Sequence, residues 1–219
     1  MMLQRMLLLV GGPHAAGTSA ILGAELVKRM PAERWDSRTL LLQAALGSDD
    51  AWRTLVDAVR DADLIVLSAP LYVDALPAAT TRALELLAEE LSAAPMASPP
   101  RLAVIMNCGY PEARQNALAL EICRRFAVEA GLDWAGGLGF SSVNRQGPGL
   151  RQALGRTAAA LDEGRPVPPE VARQLERIGM PAFLFVPIGN NYMRQSAREY
   201  GQHKRLDARP YAPSEDERG

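Results

Sequence analysis

The chain has 219 residues, 48% of them hydrophobic and 22% charged, with a formal net charge of −1. That length suits one sizeable domain plus an extension better than two small domains, and the near-zero charge gives no electrostatic basis for a nucleic-acid partner. Two cysteines, Cys108 and Cys123, with no Cys-x-x-Cys and no histidine cluster, argue against a disulfide framework, a zinc site and an iron–sulfur cluster held by this chain.

Met6-Leu-Leu-Leu-Val10 reads as a short buried strand that empties into Gly11-Gly-Pro-His-Ala-Ala-Gly-Thr-Ser19. It is too short for a signal-peptide core, and no apolar run approaches a membrane span, so a cytoplasmic protein is expected. Leu22, Leu26, Val27 and Met30 give the first helix, and Ser37–Leu42 a second strand. Ser48-Asp-Asp reads as an N-cap with acidic residues in the first turn, followed by Trp52, Leu55, Val56 and Val59 at helical spacing. Asp63–Ser68 is a third strand, ending in the loop Ala69-Pro-Leu-Tyr-Val-Asp-Ala-Leu-Pro77 before a helix marked by Leu84, Leu87 and Leu91.

The three prolines in 94–100 mark a surface connection. Leu102–Met106 is a fourth strand with the loop Asn107-Cys-Gly-Tyr-Pro111, and Leu118, Ile122, Phe126 and Ala130 stripe the next helix. Trp134–Phe140 is a glycine-rich fifth strand. Ser141-Ser142 then ends it or reaches a site, and Leu150, Leu154, Ala158 and Leu161 mark a fifth helix. Five βα units in a row call for an open parallel sheet with helices on both faces.

Beyond Gly164 the alternation stops. Pro166, Pro168 and Pro169 form a stiff link, Val171, Leu175 and Ile178 suggest a short helix, and Pro181–Pro187 is apolar without a clear state. Asn190-Asn191-Tyr192 reads as a turn or a lid; 194–209 is basic and 214–218 mostly acidic. This extension could wrap its own domain, reach a second subunit or touch a membrane surface, in that order.

In an open sheet of this kind ligands bind outside the carboxyl ends of the strands, which selects the loops 11–19, 69–77 and 107–111. The first has the glycine spacing of a triphosphate loop, but Thr18 stands where the phosphate-binding lysine belongs, and the third strand ends without a magnesium-binding aspartate. The Gly-x-Gly-x-x-Gly dinucleotide spacing is absent as well. Amides and hydroxyls remain, at a helix N-terminus suited to a single phosphate monoester. No Gly-x-Ser-x-Gly elbow is present and the two histidines, His14 and His203, offer no triad, so hydrolase chemistry is a poor match.

Gly11–Ser19 resembles the Gly-Ser-Pro-Arg-x-x-Gly-Asn-Thr phosphate loop of flavodoxin-like NAD(P)H-dependent FMN reductases and quinone reductases. Ala69–Pro77 resembles their Ser-Pro-x-Tyr-Trp-Gly-x-x-Pro loop. The likeness covers about residues 1–165 and implies a flavodoxin-like three-layer sandwich, its five-stranded parallel sheet in the order 2-1-3-4-5, with 166–219 as a C-terminal extension on the domain or on a second subunit. It places Pro13, Gly17, Thr18 and Ser19 around the FMN phosphate, with Gly12 and His14 on the same loop. Pro70, Leu71, Tyr72 and Val73 would line the isoalloxazine edge with Asp74 beside them, and Cys108, Gly109 and Tyr110 would flank the ring.

Gly12 replaces the family's serine, His14 and Ala15 replace residues that are often basic, and Val73-Asp74 replaces Trp-Gly. Fewer charged donors should weaken phosphate binding, since each charge-assisted bond contributes roughly 1.5–3 kcal/mol. An inward-pointing Asp74 would lower the potential of a reduced, anionic flavin. The resemblance implies hydride transfer from NADH or NADPH, by way of FMN, to a small acceptor such as a quinone, nitro compound or free flavin, in a homodimer or higher homo-oligomer. No catalytic acid or base is implied. A flavodoxin-like electron carrier, an FMN-binding module without NAD(P)H activity, and a scaffold that has lost FMN are the alternatives.

Overall fold

The structure, a computed structural model, describes residues 3–144, 146–206 and 208. Five parallel strands form one sheet: β1 (Gln4–Val10), β2 (Trp35–Leu41), β3 (Leu64–Pro70), β4 (Arg101–Asn107) and β5 (Asp133–Phe140), in the order β2-β1-β3-β4-β5. This is the expected flavodoxin-like order. Every residue of β3 is buried, as a parallel strand covered on both faces requires.

Alternate strand residues feed two cores. On one face Leu7, Leu9, Ile65, Leu67 and Val104 meet α3 (Asp49–Asp61), α4 (Ala78–Ala93) and α5 (Ala117–Glu129). On the other Met6, Leu8, Val66, Ile105 and Phe140 meet α1 (Thr18–Val27), α6 (Gly147–Asp162) and α7 (Pro169–Arg177). The expected cap of α3 is present, with Ser48 Oγ accepting from the Ala51 N–H at 3.2 Å.

Two details depart from the periodicity. β2 starts two residues early because Trp35 is buried and donates from Nε1 to Asp162 Oδ1 at 2.7 Å, while Leu42 opens a four-residue helix, α2 (Leu42–Ala45). The stripe predicted for α5 is rotated: Leu118 and Ile122 are exposed, and the buried side is Ala119, Cys123, Phe126 and Ala127, continuing to Ala130. Two glycines of β5 leave room beneath this part of the chain. A Cβ on Gly137 would lie 2.6 Å from Leu120 Cδ2, and one on Gly139 3.0 Å from the Ala113 carbonyl. Gly137 thereby admits Leu120, which packs half-buried on the core, and Gly139 admits the turn at Ala113 and Asn116.

The compact α/β unit continues to Gly179. Val167 donates its N–H to Ala135 O at 2.7 Å, and Val171 and Leu175 of α7 enter the core beside β5. Residues from Met180 form a second unit, described by itself. Its element is α8 (Ala182–Glu199), so the apolar segment is helical from Ala182, after Pro181 as N-cap, and the expected turn at Asn190–Tyr192 is helical too. The acidic stretch at 214–218 lies outside the described residues.

Candidate functional site

The carboxyl ends of β1, β3 and β4 converge on a cavity of about 320 Å³. It is lined by Gly12, Pro13, His14, Gly17, Thr18 and Ser19 from the first loop, Pro70, Leu71 and Tyr72 from the second, and Asn107, Cys108 and Gly109 from the third. Strand pairing sets this arrangement: Pro70 lies opposite Asn107, and Leu71 donates its N–H to Asn107 O at 2.7 Å.

The first wall is tied down by buried hydrogen bonds. Gly11 donates its N–H to Ser68 O at 2.8 Å, and Thr80 Oγ1 donates to Gly11 O at 2.5 Å. Ser68 Oγ donates to Ser19 O at 2.7 Å, and Ser19 Oγ to Asn107 Oδ1 at 2.8 Å. The hydroxyl proton of Ser19 is thus committed within the protein. Gly17 is the N-cap of α1 and no side chain caps this helix, so the N–H groups of Thr18, Ser19 and Ala20 have no acceptor in their own helix. Ile21 is the first to donate inward, to Gly17 O. Together with the helix dipole they form a neutral anion site.

The second wall is a two-residue hairpin. Tyr72 and Ala75 exchange N–H···O bonds of 2.8 and 3.1 Å, and Val73 and Asp74 between them have φ of 49° and 63°. Successive positive φ values define a turn that favours Asn-Gly, and a β-branched valine there is strained. Val73 is 91% exposed. Asp74 does not line the cavity but faces Tyr110, whose phenol is held above its usual range first by the carboxylate's charge, then by burial and by a hydrogen bond to Asp74. Asp74 is thus an exposed turn residue outside the cavity, and the inward position from which it would lower a flavin's potential is not the one it takes.

The third wall is braced from β5. Cys108 donates its N–H to Phe140 O at 2.9 Å, and its buried Sγ lies 3.5 Å from Asn116 Nδ2. Ser142 gives both its N–H and its hydroxyl to Tyr110 O, at 2.9 and 3.0 Å. Ser141 is buried and accepts from the N–H groups of Val143 and Asn144. Both serines end the strand and hold the loop, and neither lines the cavity. Cys123 is a core residue whose thiol burial pushes up to about 12, which denies it thiolate chemistry.

Eleven of the fourteen residues singled out in the sequence line the cavity, and Val73, Asp74 and Tyr110 stand outside it. Asn107 was missed. It is 95% buried, since only 5% of its surface is exposed, and its Nδ2 donates to no described residue. The available signal was a polar residue closing the apolar run 102–106. None of the twelve lining residues is acidic, lysine or arginine, so nothing on the wall repels a phosphate. Among the described residues no group of three or more His, Cys, Asp or Glu side chains could hold a metal ion.

No protein-family model and no curated protein matches the sequence. Solved structures do. The apo form of the NADH:FMN oxidoreductase EMOB superposes with a TM-score of 0.58 at 16% identity, over 77% of this chain and 94% of that one. An oxidoreductase from Corynebacterium diphtheriae gives 0.55 at 10%, over 79% and 97%. The flavodoxin of Streptococcus pneumoniae TIGR4 gives 0.53 at 14%, over 74% and 99%. With its strand order, its loops at the carboxyl edge and these likenesses, the protein is a flavodoxin-like α/β protein.

Proposed function

We propose that the cup holds FMN and that the protein is a flavin-dependent oxidoreductase, carrying electrons from NADH or NADPH to a small acceptor such as a quinone, nitro compound or free flavin. One observation carries this reading: an uncapped helix start, the unpartnered amide of Asn107 and the apolar edge of Pro70 and Leu71 share one cavity whose wall has no carboxylate. Those features fit a phosphate monoester joined to a flat, largely apolar ring. The likeness to an NADH:FMN oxidoreductase and to a second oxidoreductase supports the same reading.

Bound FMN would supply the hydride chemistry. The chain's own residues bind and orient. The N–H groups of Thr18, Ser19 and Ala20 and the Thr18 hydroxyl hold the phosphate, with Gly12, Pro13, His14 and Gly17 shaping the loop. Pro70, Leu71, Cys108 and Gly109 exclude water beside the ring, and Tyr72, half exposed, offers a ring face with a polar tip. No side chain is required to donate or remove a proton at carbon. The flavodoxin likeness favours a second reading, an electron carrier without NAD(P)H activity.

Titration with FMN tests the binding. The melting temperature should rise with FMN concentration, because a ligand of the native state stabilises it by mass action. Thr18→Ala should weaken FMN affinity about five- to tenfold, the loss of one hydrogen bond of roughly 1 kcal/mol, while leaving the ligand-free melting temperature unchanged. Absence of any FMN-dependent shift at saturating FMN would sink the reading. Anaerobic addition of NADH and of NADPH then separates reductase from carrier, since only the former bleaches within a turnover time.

A further inference from the structure

The charge and apolarity of α8 are segregated along its axis. At 100° per residue apolar side chains surround the first half of the helix: Leu184, Phe185, Ile188 and Tyr192 share one arc, and Phe183, Val186 and Met193 lie opposite it. Along the axis, 182–193 carry no charge, and the basic residues begin at Arg194 and continue through Arg198, Lys204 and Arg205, with Glu199 the one acid between 180 and 206. Phe183, Val186, Ile188, Tyr192 and Met193 are all more than half exposed, and from Phe183 to Glu199 no side chain is buried. So large an exposed apolar surface marks an interaction site.

We propose that α8 and the basic residues after it dock on the surface of an anionic phospholipid bilayer, the apolar half lying in the headgroup–acyl boundary and the arginines and Lys204 meeting the lipid phosphates. Charge decides this occupant over a second copy. Pairing two α8 helices in parallel would set Arg194 and Arg198 against their like, and pairing them antiparallel would press those guanidinium groups onto the uncharged half of the partner helix. A bilayer satisfies both halves at once, because its phosphates lie directly above its apolar layer. Spanning is not involved: no helix among the described residues is long and apolar enough to cross a membrane. The proposal stands apart from the flavin reading, since it uses no residue of the cup.

The test is co-sedimentation of the full chain with vesicles of equal phosphatidylglycerol and phosphatidylcholine, and with vesicles of phosphatidylcholine alone, alongside light scattering for oligomeric state. Binding to the anionic vesicles should exceed binding to the neutral ones and fall with added salt. Arg194→Glu with Arg198→Glu should lower it about tenfold or more, a loss of the order expected for reversing two cations at an anionic surface. Phe185→Ser with Ile188→Ser should abolish it. An unchanged melting temperature shows that each variant has kept its fold. Equal sedimentation with neutral vesicles, binding indifferent to both double variants, or an oligomer that the α8 variants dissociate without any vesicle binding would each overturn the proposal.

Discussion

On the β1 side of the cup, four buried hydrogen bonds run from Thr80 through Gly11, Ser68 and Ser19 to Asn107, and no non-glycine residue has a positive φ. On the β3 side, the hairpin Tyr72–Ala75 is exposed at Val73, places two L-residues in the left-handed region and is met from outside by Tyr110. The first wall is fixed before any ligand arrives. The second keeps a conformation costing of order 1–3 kcal/mol per strained residue, in a place where few buried contacts oppose its rearrangement. A phosphate needs donors at fixed positions, whereas a ring edge and a succession of substrates tolerate movement.

The largest effect should come from breaking the rigid wall. Gly11 has no room for a side chain: its Cβ would sit 2.8 Å from both Ala69 Cβ and Thr80 Oγ1. Gly11→Ala should therefore destabilise the protein by about 1–3 kcal/mol, the usual cost of overpacking, and disturb the first loop with it. Thermal melting measures the first effect and FMN titration the second. A variant with parental values of both would show that the wall is softer than its hydrogen bonds imply.

Relaxing the strained wall should act in the opposite direction. Val73→Asn with Asp74→Gly installs the pair that a turn with two positive φ values favours, and should stabilise by about 1–2 kcal/mol, or roughly 2–8 °C in a chain of this size. If the turn's strain serves substrate exchange, kcat should fall while the melting temperature rises. A lower melting temperature would mean that Val73 is held by contacts stronger than its strain.

The same contrast explains what the sequence could disclose. The strands of the central sheet were legible because parallel strands covered on both faces are nearly continuous apolar runs, as in 64–67 and 102–106. The first loop was legible because its residue types match a fixed backbone task. Where packing depends on contacts distant in sequence, the pattern misleads: Leu118 and Ile122 have the spacing of a buried stripe, yet both are exposed, while Ala119 and Cys123 are buried and Leu120 fills the space over Gly137. Asn107 was hidden because a polar residue at a strand end ordinarily marks only the loop that follows.

A subtler gain is available on the rigid side. A Cβ at Gly12 would rest 3.5 Å from Ser19 Oγ and 3.6 Å from Pro70 Cδ, ordinary contact distances. Gly12→Ser, which restores the serine of the resembled loop, should fold normally and tighten FMN binding about two- to tenfold, the worth of one added neutral hydrogen bond of roughly 0.5–1.5 kcal/mol. Calorimetry or flavin fluorescence reads this directly. A weaker Kd would place the phosphate away from residue 12.

The smallest effect concerns the contact that holds the flexible wall from outside. Deprotonating Tyr110 would set a phenolate against the Asp74 carboxylate, so the neutral phenol is favoured and its titration lies above the usual value of 10. From neutral pH upward the contact therefore persists until pH rises through the raised value, where it is lost. Both groups are open to solvent, and the contribution to stability should be slight. Asp74→Asn removes the charge but not the partial burial, so Tyr110 should titrate nearer to 10 without returning to it fully. Tyrosinate absorbance, with Tyr110→Phe subtracted to isolate the one ring, resolves the shift. A Tyr110 titration identical in Asp74→Asn and parent would show that the carboxylate lies elsewhere, and the hairpin would then be held by its own two hydrogen bonds and by the Leu71 N–H on Asn107 O beside it.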